Sequence, residues 1–219
     1  TANTWRSAAG AANGLVRRAY DQSVTALDVS NLNHADQTTT ANMPKLFDSA
    51  TGLILENGKA AMDFDGGQGF VTPITLTQPF SSFIAFKTYS LERTIFDATT
   101  APRSFLRHRS GNNLSIWSGI FLTYSGSVVV DTQYISYGLY NGSASQVNVN
   151  GLTPTIGNAG INGLSNPSIG LVGANSYDGV LQIIIFYPTD QSSNRTAIET
   201  AINTEYQIYN TPSAYVTKW

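Results

Sequence analysis

The apolar positions from Gly69 onward form a succession of short runs, separated by Gly, Asn, Pro and Ser. Apolar runs of about four to eight residues between turn residues are typical of the strands of a β-sandwich or barrel. The strands predicted on this basis span residues 70–75, 82–89, 93–97, 104–109, 114–117, 120–124, 127–130, 133–140, 146–150, 168–172 and 179–187. The pattern therefore predicts an all-β fold.

Two of these runs, residues 83–86 and 180–186, are apolar at nearly every position rather than at alternate positions. Successive side chains of a strand point to opposite faces of the sheet, so an uninterrupted apolar run buries both faces. We expect these two segments to be central strands that are covered on both sides.

The segment 192–209 departs from strand periodicity, because its apolar residues recur every fourth position at Ile198, Ile202 and Tyr206. This spacing predicts an amphipathic helix packed on the sandwich, and Asp190 or the serines that follow it can cap its start. The N-terminal segment is less regular, and we interpret it as long ordered loops around short strands. No repeat or linker interrupts the chain, so residues 1–219 are predicted to form a single domain.

Charge and composition narrow the possible partners. Charged residues make up only 12% of the chain, and the formal net charge is −2. Nucleic acid is not an expected partner, because the chain has no basic field to neutralise phosphates. Membrane insertion is not expected either, because no apolar run reaches the roughly 20 residues that span a bilayer. The absence of cysteine excludes disulfides and thiolate metal sites.

Several sequence blocks, in order, carry a resemblance to a known family. They are residues 19–23 (AYDQS), 32–47 (LNHADQTTTANMPKLF), 56–66 (ENGKAAMDFDG) and the final apolar strand with the helix after it. These blocks resemble the concanavalin A-like or LamG-like modules of bacteriophage virion proteins and secreted bacterial polysaccharide-binding proteins. The chain departs from the pattern by an insertion after Ser23, by Met43 in place of Gln, and by Gln182 in place of Glu.

The resemblance implies a concanavalin A-like jelly-roll β-sandwich with one C-terminal helix packed on it. It also implies a non-catalytic virion module of receptor-binding, tail-fibre or capsid-decoration type. Such a module would bind a host-surface glycan or another virion subunit, as a homo-oligomer within an assembly. The alternatives are a carbohydrate-binding module of a secreted or cell-surface bacterial protein and a glycoside hydrolase of arabinofuranosidase type, since fungal arabinofuranosidases share a related pattern.

Catalysis is not expected from the carboxylates. Glycosidases need two carboxyl groups that flank the scissile bond. The chain has only four glutamates, and we interpret Glu199 and Glu205 as solvated residues of the terminal helix. Asp63 and Asp65 share a strand face, but Asp65 precedes a glycine and first of all indicates a turn. We therefore expect that the protein is not an enzyme.

Neither a catalytic role nor a metal site is expected at the histidines. The two histidines, His34 and His108, lack partners at metal-ligand or catalytic spacing, and we interpret each as a surface or hydrogen-bonded loop residue. No cofactor is expected. Calcium stays possible, because lectin-like sandwiches hold it with loop oxygens. The residues that could supply such oxygens are Asp21, Asp28, Asn31, Asn33, Asp36 and Asp178.

The candidate ligand-binding residues are Tyr134, Ser136 and Tyr140, within the predicted strand 133–140. Alternation sends the three apolar residues at positions 135, 137 and 139 to one face, which is expected to be core. The opposite face places two aromatic rings around Ser136 and Gly138, where a sugar ring could stack. The alternatives are cross-strand aromatic packing and a subunit contact.

A second candidate surface consists of Arg103, Arg107 and Arg109, which could form a basic stripe along the predicted strand 104–109 and the residue before it. This basic stripe could contact an acidic glycan. The alternative is a solvated edge that discourages pairing with a foreign strand.

Overall fold

The computed structural model describes residues 12–23 and 33–210. In these residues the chain forms 21 strands, numbered in chain order, and one α-helix, α1 (Arg195–Tyr206). The strands are β1 (Gly14–Leu15), β2 (Arg18–Ala19), β3 (Ala35–Asp36), β4 (Lys45–Asp48), β5 (Gly52–Leu53), β6 (Leu55–Glu56), β7 (Lys59–Ala60), β8 (Met62–Asp65), β9 (Phe70–Val71), β10 (Thr75–Leu76), β11 (Phe80–Thr88), β12 (Arg93–Ala98), β13 (Phe105–Arg109), β14 (Asn113–Trp117), β15 (Phe121–Thr123), β16 (Tyr134–Tyr140), β17 (Ser145–Val149), β18 (Thr155–Gly157), β19 (Leu164–Ser165), β20 (Pro167–Ile169) and β21 (Asp178–Tyr187).

Most of these strands belong to two large antiparallel sheets. The first sheet has the order β1-β4-β8-β21-β11-β16-β17-β18, with β5 attached to β4. The second sheet has the order β15-β14-β13-β12-β20-β9-β3-β2. Apolar side chains of both sheets share one buried core, so the sheets pack face to face. The expected β-sandwich is confirmed.

The predicted central strands occupy the middle of the first sheet. Strand β11 pairs with β21 on one side and with β16 on the other. Ile84 of β11 is fully buried in the core between the sheets, together with Leu106 and Ile116 of the second sheet. Phe83, the preceding residue of β11, is buried in a separate cluster on the opposite face. Both faces of these strands are therefore covered, as the uninterrupted apolar runs predict.

Helix α1 covers the outer face of the first sheet. Its Ile198, Ile202 and Tyr206 pack with Phe83 and Tyr137 in the second apolar cluster. The predicted C-terminal helix is thus confirmed, although it is shorter than the periodicity of 192–209 indicates.

Local backbone conformation explains where this helix ends. It ends at Tyr206 because Gln207 adopts a left-handed conformation, with φ 52°. The N-cap residue is Asn194, whose side chain makes no capping hydrogen bond, so the expectation that Asp190 or the serines cap the start is wrong. Asp190 instead accepts the Ser192 N–H at 2.8 Å, before the helix begins.

The segment 127–130 was predicted to be a strand, and this prediction is wrong. Its hydrogen bonds are not those of a ladder: the Val128 N–H donates to the Asn112 carbonyl, and the Val129 N–H donates to the Tyr134 hydroxyl. Val128 is nevertheless fully buried. The segment 127–130 is apolar because it is a loop whose Val128 packs into the core.

His108 is also placed differently from its predicted loop or surface position, because it is fully buried on β13. Its Nε2 lies 2.6 Å from the Val128 carbonyl, which can only accept, so Nε2 carries the proton. Nδ1 then accepts from the Thr88 hydroxyl of the first sheet, at 2.6 Å. Burial lowers the pKa of His108. The neutral imidazole therefore bridges the two sheets.

We expect this bridge to make stability depend on pH. Because the folded-state pKa of His108 is lowered, the unfolded chain binds the proton more readily below the free value of about 6.5. The neutral His108 imidazole therefore contributes fully to the free energy of unfolding above that pH. As the pH falls below it, this contribution is lost by up to about 1.4 kcal/mol per pH unit. Urea unfolding of the parent and of His108→Gln, at neutral and mildly acidic pH, measures this pH dependence of the free energy of unfolding. An identical pH dependence in both proteins would contradict the assignment.

Candidate functional site

The predicted ligand-binding face of β16 lies in the core. Tyr140 has no exposed surface: its ring stacks on Phe80 with centroids 4.4 Å apart, and its hydroxyl donates to the Phe105 carbonyl at 3.1 Å. Ser136 is 1% exposed, and Tyr134 is partly buried against the same core. The expectation that these residues form an exposed aromatic face is wrong.

The physical reason is that both faces of β16 are covered. Helix α1 packs over its odd-numbered residues, and the second sheet packs over its even-numbered ones. At Gly138 an added Cβ would lie 3.2 Å from Ile116 Cγ2 of the opposite sheet. The small residue therefore accommodates close packing between the sheets. It leaves no space for a ligand.

An exposed aromatic surface occurs instead on the outer face of the second sheet. Phe105 of β13 lies opposite Trp117 of β14, which lies opposite Phe121 of β15. The Phe105 and Trp117 rings stack with centroids 5.1 Å apart, and Phe121 meets Phe105 edge-on at 5.7 Å. Phe105 is nearly buried beneath its neighbours, Trp117 is half-buried and Phe121 is 41% exposed.

Strand alternation explains why this surface faces outward. On β13, Leu106 and His108 point into the core, so Phe105, Arg107 and Arg109 point away from it. On β14, the buried Leu114 and Ile116 similarly leave Trp117 on the outer side.

Two arginines lie against these rings. The Arg103 guanidinium is 5.3 Å from the Phe105 ring centroid and 6.0 Å from that of Trp117. The Arg109 guanidinium lies 4.1 Å from the Phe121 centroid, a distance typical of cation–π contacts. We call Arg103, Phe105, Arg109, Trp117 and Phe121 together the aromatic–arginine face.

Arg103 is held in place from one side. Its Nε donates to Asp97 Oδ1 at 2.6 Å, and its Nη2 donates to Asp97 Oδ2. The Asp97 side chain is only 4% exposed, whereas that of Arg103 is 51% exposed. The hydrogen bonds that Arg103 donates to Asp97 raise the pKa of Arg103. The buried carboxylate therefore fixes the guanidinium through Nε and Nη2, and Nη1 makes no bond to Asp97.

Arg107 and Arg109 differ in their partners. Arg107 pairs with Glu92 and also donates to Asn175 Oδ1 at 2.9 Å. Glu92 accepts the Ser110 N–H at 2.6 Å, and this backbone bond and Arg107 lower its pKa. No salt bridge joins Arg109 to a carboxylate within residues 12–23 and 33–210. The structure thus brings the predicted arginine stripe together on one face, with two of its three charges paired.

The remaining acidic residues lie elsewhere. Asp63 is half-buried on β8, and burial raises its pKa. Asp65 accepts the Gly67 N–H at 3.3 Å, consistent with its predicted turn role. Glu205 is exposed and pairs with Lys59.

Glu199 was predicted to be solvated, and this is wrong. Its side chain is 1% exposed beneath α1, where it accepts from Asn148 at 2.9 Å and from Arg195 at 3.0 Å. Burial raises the pKa of Glu199.

Among the candidate calcium ligands within residues 12–23 and 33–210, two acidic side chains have other partners. Asp28 and Asn31 lie outside the described residues. Asp36 pairs with Arg18, and Asp178 accepts the Ser90 hydroxyl at 2.6 Å. Across residues 12–23 and 33–210, no group of three or more His, Cys, Asp or Glu residues is arranged to hold a metal ion. Over the same residues, no helix is long and apolar enough to span a membrane.

Comparisons with known proteins bear on the fold. No protein-family model matches the chain, and no curated protein matches it. Among solved structures, it is similar to domain 4 of AbnA, a GH43 extracellular arabinanase from Geobacillus stearothermophilus, in complex with arabinotriose. That match has a TM-score of 0.53 and 15% identity, and it covers 85% of this chain and 98% of that domain.

A second similar structure is a mutant Trypanosoma rangeli sialidase displaying trans-sialidase activity. Its TM-score is 0.51 at 12% identity over 81% of this chain, which spans only 30% of the sialidase. Identities this low show the fold alone. Together with the sheet order, they support the predicted concanavalin A-like jelly-roll sandwich.

We expect Tyr140→Ala to destabilise the protein by about 3–5 kcal/mol, because it leaves a cavity between the sheets. Tyr140→Phe keeps the stacking on Phe80 and loses only the bond to the Phe105 carbonyl, at a cost of about 0.5–1.5 kcal/mol. Phe121→Ala, at a partly exposed ring, serves as the comparison and should cost much less. Urea denaturation measures all three. Comparable stabilities of Tyr140→Ala and Phe121→Ala would contradict the burial of β16.

Proposed function

We propose that this protein is a non-catalytic carbohydrate-binding module whose ligand binds on the aromatic–arginine face. The observation that carries the proposal is the partly exposed Trp117 ring, stacked on Phe105 beside an arginine that a buried carboxylate holds in place.

The chemistry of this surface suits a sugar. One face of a pyranose or furanose ring presents C–H groups that pack on an aromatic ring, while its hydroxyl groups need hydrogen-bond partners at the edge. Trp117 and Phe121 supply the flat apolar area. Arg103 supplies N–H donors whose orientation is fixed before the ligand arrives, which reduces the entropy lost on binding.

The structural comparison supports the same class of ligand. Domain 4 of the arabinanase AbnA was solved with arabinotriose, and the present chain covers 98% of that domain. The likeness therefore extends over a complete module, whereas the sialidase match covers only part of a larger enzyme.

The absence of catalysis is part of the proposal. Both carboxylates near the aromatic–arginine face are engaged: Asp97 binds Arg103, and Glu92 binds Arg107 and the Ser110 N–H. A general acid requires a raised pKa. The pKa of Glu92 is instead lowered. These carboxylates are suited to holding arginines in position.

We expect Trp117→Ala to weaken glycan binding by on the order of 1–3 kcal/mol, because a stacking ring is lost. The melting temperature should fall only modestly, since the ring is half-buried on the outer face and its loss uncovers Phe105 but opens no cavity between the sheets. Tyr89→Ala is the matched control, as Tyr89 is an aromatic residue 41% exposed outside this face. A glycan array followed by calorimetry on the best ligand measures both variants.

Two outcomes would contradict this prediction. If Trp117→Ala bound the ligand as tightly as the parent protein, the ligand would bind elsewhere. If Tyr89→Ala lost as much affinity as Trp117→Ala, the aromatic–arginine face would have no special role.

The setting that we propose is a bacteriophage particle. It is supported by the resemblance of the blocks at residues 19–23, 32–47 and 56–66 to virion modules. The alternative setting is a secreted or cell-surface bacterial protein, in which the same face would bind polysaccharide.

Contacts with other virion subunits, or with further copies of this chain, are a second proposed role. Ile156 on the edge strand β18 is 63% exposed, and Ile161 in the following loop is 85% exposed. Residues 132–177 contain no charged side chain. Protein interfaces are depleted of charge at their centre, so this edge fits a subunit contact.

Immunogold labelling with antibodies against this chain tests the setting. We expect purified particles from the producing strain to carry the label at a defined position on the tail or capsid. Label found only in the particle-free culture fluid or on the bacterial surface would contradict the virion setting. The glycan-binding proposal would remain intact in that case.

A further inference from the structure

We propose that the glycan recognised at the aromatic–arginine face is anionic, with its negative group bound by Arg109 next to the aromatic stack. This inference rests on the proposed glycan-binding function and specifies the chemical class of its ligand. The observation behind it is the distribution of charge around the face, which depends on the strands and loops that border the face.

The first step is the charge balance. The outer side of β12 and β13 brings together Arg107, Arg109 and the adjoining Arg103. The two paired carboxylates there are Asp97 and Glu92. Three arginines and two paired carboxylates leave one positive charge. The chain as a whole has a net charge of −2, so this face has the opposite sign to the rest of the molecule.

The second step concerns the neighbouring strands. Residues 110–130, which include β14 and β15, contain no charged side chain. β14 and β15 therefore present no acidic group to Arg109, whose guanidinium lies over Phe121 of β15. Positive charge that is not opposed locally attracts anions, and it does so more strongly beside apolar rings that exclude water.

The third step is hydrogen-bonding capacity. A guanidinium has five N–H donors. For Arg109, no hydrogen bond from the side chain to a described residue is formed, and its position is set by the contact with Phe121 at 4.1 Å. Its donors match the two oxygens of a carboxylate, or those of a sulfate ester, in a paired arrangement. Arg103 adds the N–H groups of Nη1, which its bonds to Asp97 leave available.

The positions of Trp117, Phe121 and Arg109 determine the expected orientation of the ligand. The sugar ring packs on Trp117, and its negative substituent points toward Arg109 across the Phe121 ring. Arg107 is not expected to take part directly, because Glu92 neutralises its charge and its side chain is only 20% exposed. Uronic acids and sulfated sugars share the required chemistry, and the experiment separates the two.

The test compares each anionic polysaccharide with its neutral counterpart. The first arm uses polygalacturonate, alginate and hyaluronan against their carboxyl-reduced forms, and the second uses dextran sulfate against dextran. Affinity electrophoresis and calorimetry are performed with the full chain. We expect binding of at least one anionic polymer about tenfold tighter than its neutral form, and weaker binding at high salt because added ions screen the contact.

The decisive variant is Arg109→Gln, which keeps a polar side chain and removes the charge. We expect it to lose about tenfold in affinity for the anionic polymer and to retain the melting temperature of the parent. Arg17→Gln is the matched control, because it removes an equal charge from an exposed arginine outside the face. The control should bind like the parent.

The outcomes separate this inference from the proposed function. If neutral glycans bind through Trp117 and anionic forms bind no tighter, the inference is overturned and the proposed function stands. The inference is also overturned if Arg109→Gln still prefers anionic polymers as the parent does. It is overturned as well if Arg17→Gln loses this preference as much as Arg109→Gln does. If no glycan binds in any arm, both fail. Whether the preferred polymer carries carboxylates or sulfates identifies the anionic group.

Discussion

The structure depends on the burial of the first sheet from both sides. Its central strands β11, β16 and β21 carry apolar side chains on both faces, so each face must be removed from water. The second sheet covers one face, and α1 covers the other. This requirement fixes the position of the helix. The outer side of the second sheet is consequently where a large aromatic surface remains partly exposed, at Trp117 and Phe121.

The core and the aromatic–arginine face are linked through single hydrogen bonds. The Tyr140 hydroxyl, on β16, donates to the carbonyl of Phe105, whose ring lies beneath Trp117. His108, on β13 with Phe105, connects the second sheet to Thr88 of the first sheet. Both bonds satisfy polar atoms that would be costly to bury unpaired. A residue such as Tyr140 therefore supports the strand that displays the face, without contacting a ligand itself.

The arginines on this face also cover the aromatic rings beside them. Exposed aromatic rings are a liability in water, and long cationic side chains can cover them while their charged ends remain hydrated. Arg103 and Arg109 do this over Phe105 and Phe121. Because Asp97 fixes Arg103 and nothing described pairs with Arg109, the two arginines differ in kind. Arg103 is a hydrogen-bond donor whose orientation is fixed in advance, and Arg109 is a positive charge without a described partner.

Sequence periodicity by itself determined the all-β architecture, the central position of residues 83–86 and 180–186, and the C-terminal helix. These features follow from local spacing of two or about four residues. Alternation also placed Arg103, Arg107 and Arg109 on one face. It could not decide which face of residues 133–140 meets water, because alternation separates two faces without saying what covers each.

Only the tertiary structure decided that question, through contacts between residues distant in the chain. Ile116 packs against Gly138 from the opposite sheet, and α1 covers the other side. Likewise, the register of β13, β14 and β15 brings Phe105, Trp117 and Phe121 together, although no local pattern links them. Exposure is a property of packed layers, so a sequence pattern can define the faces of a strand while the fold determines which of them can bind.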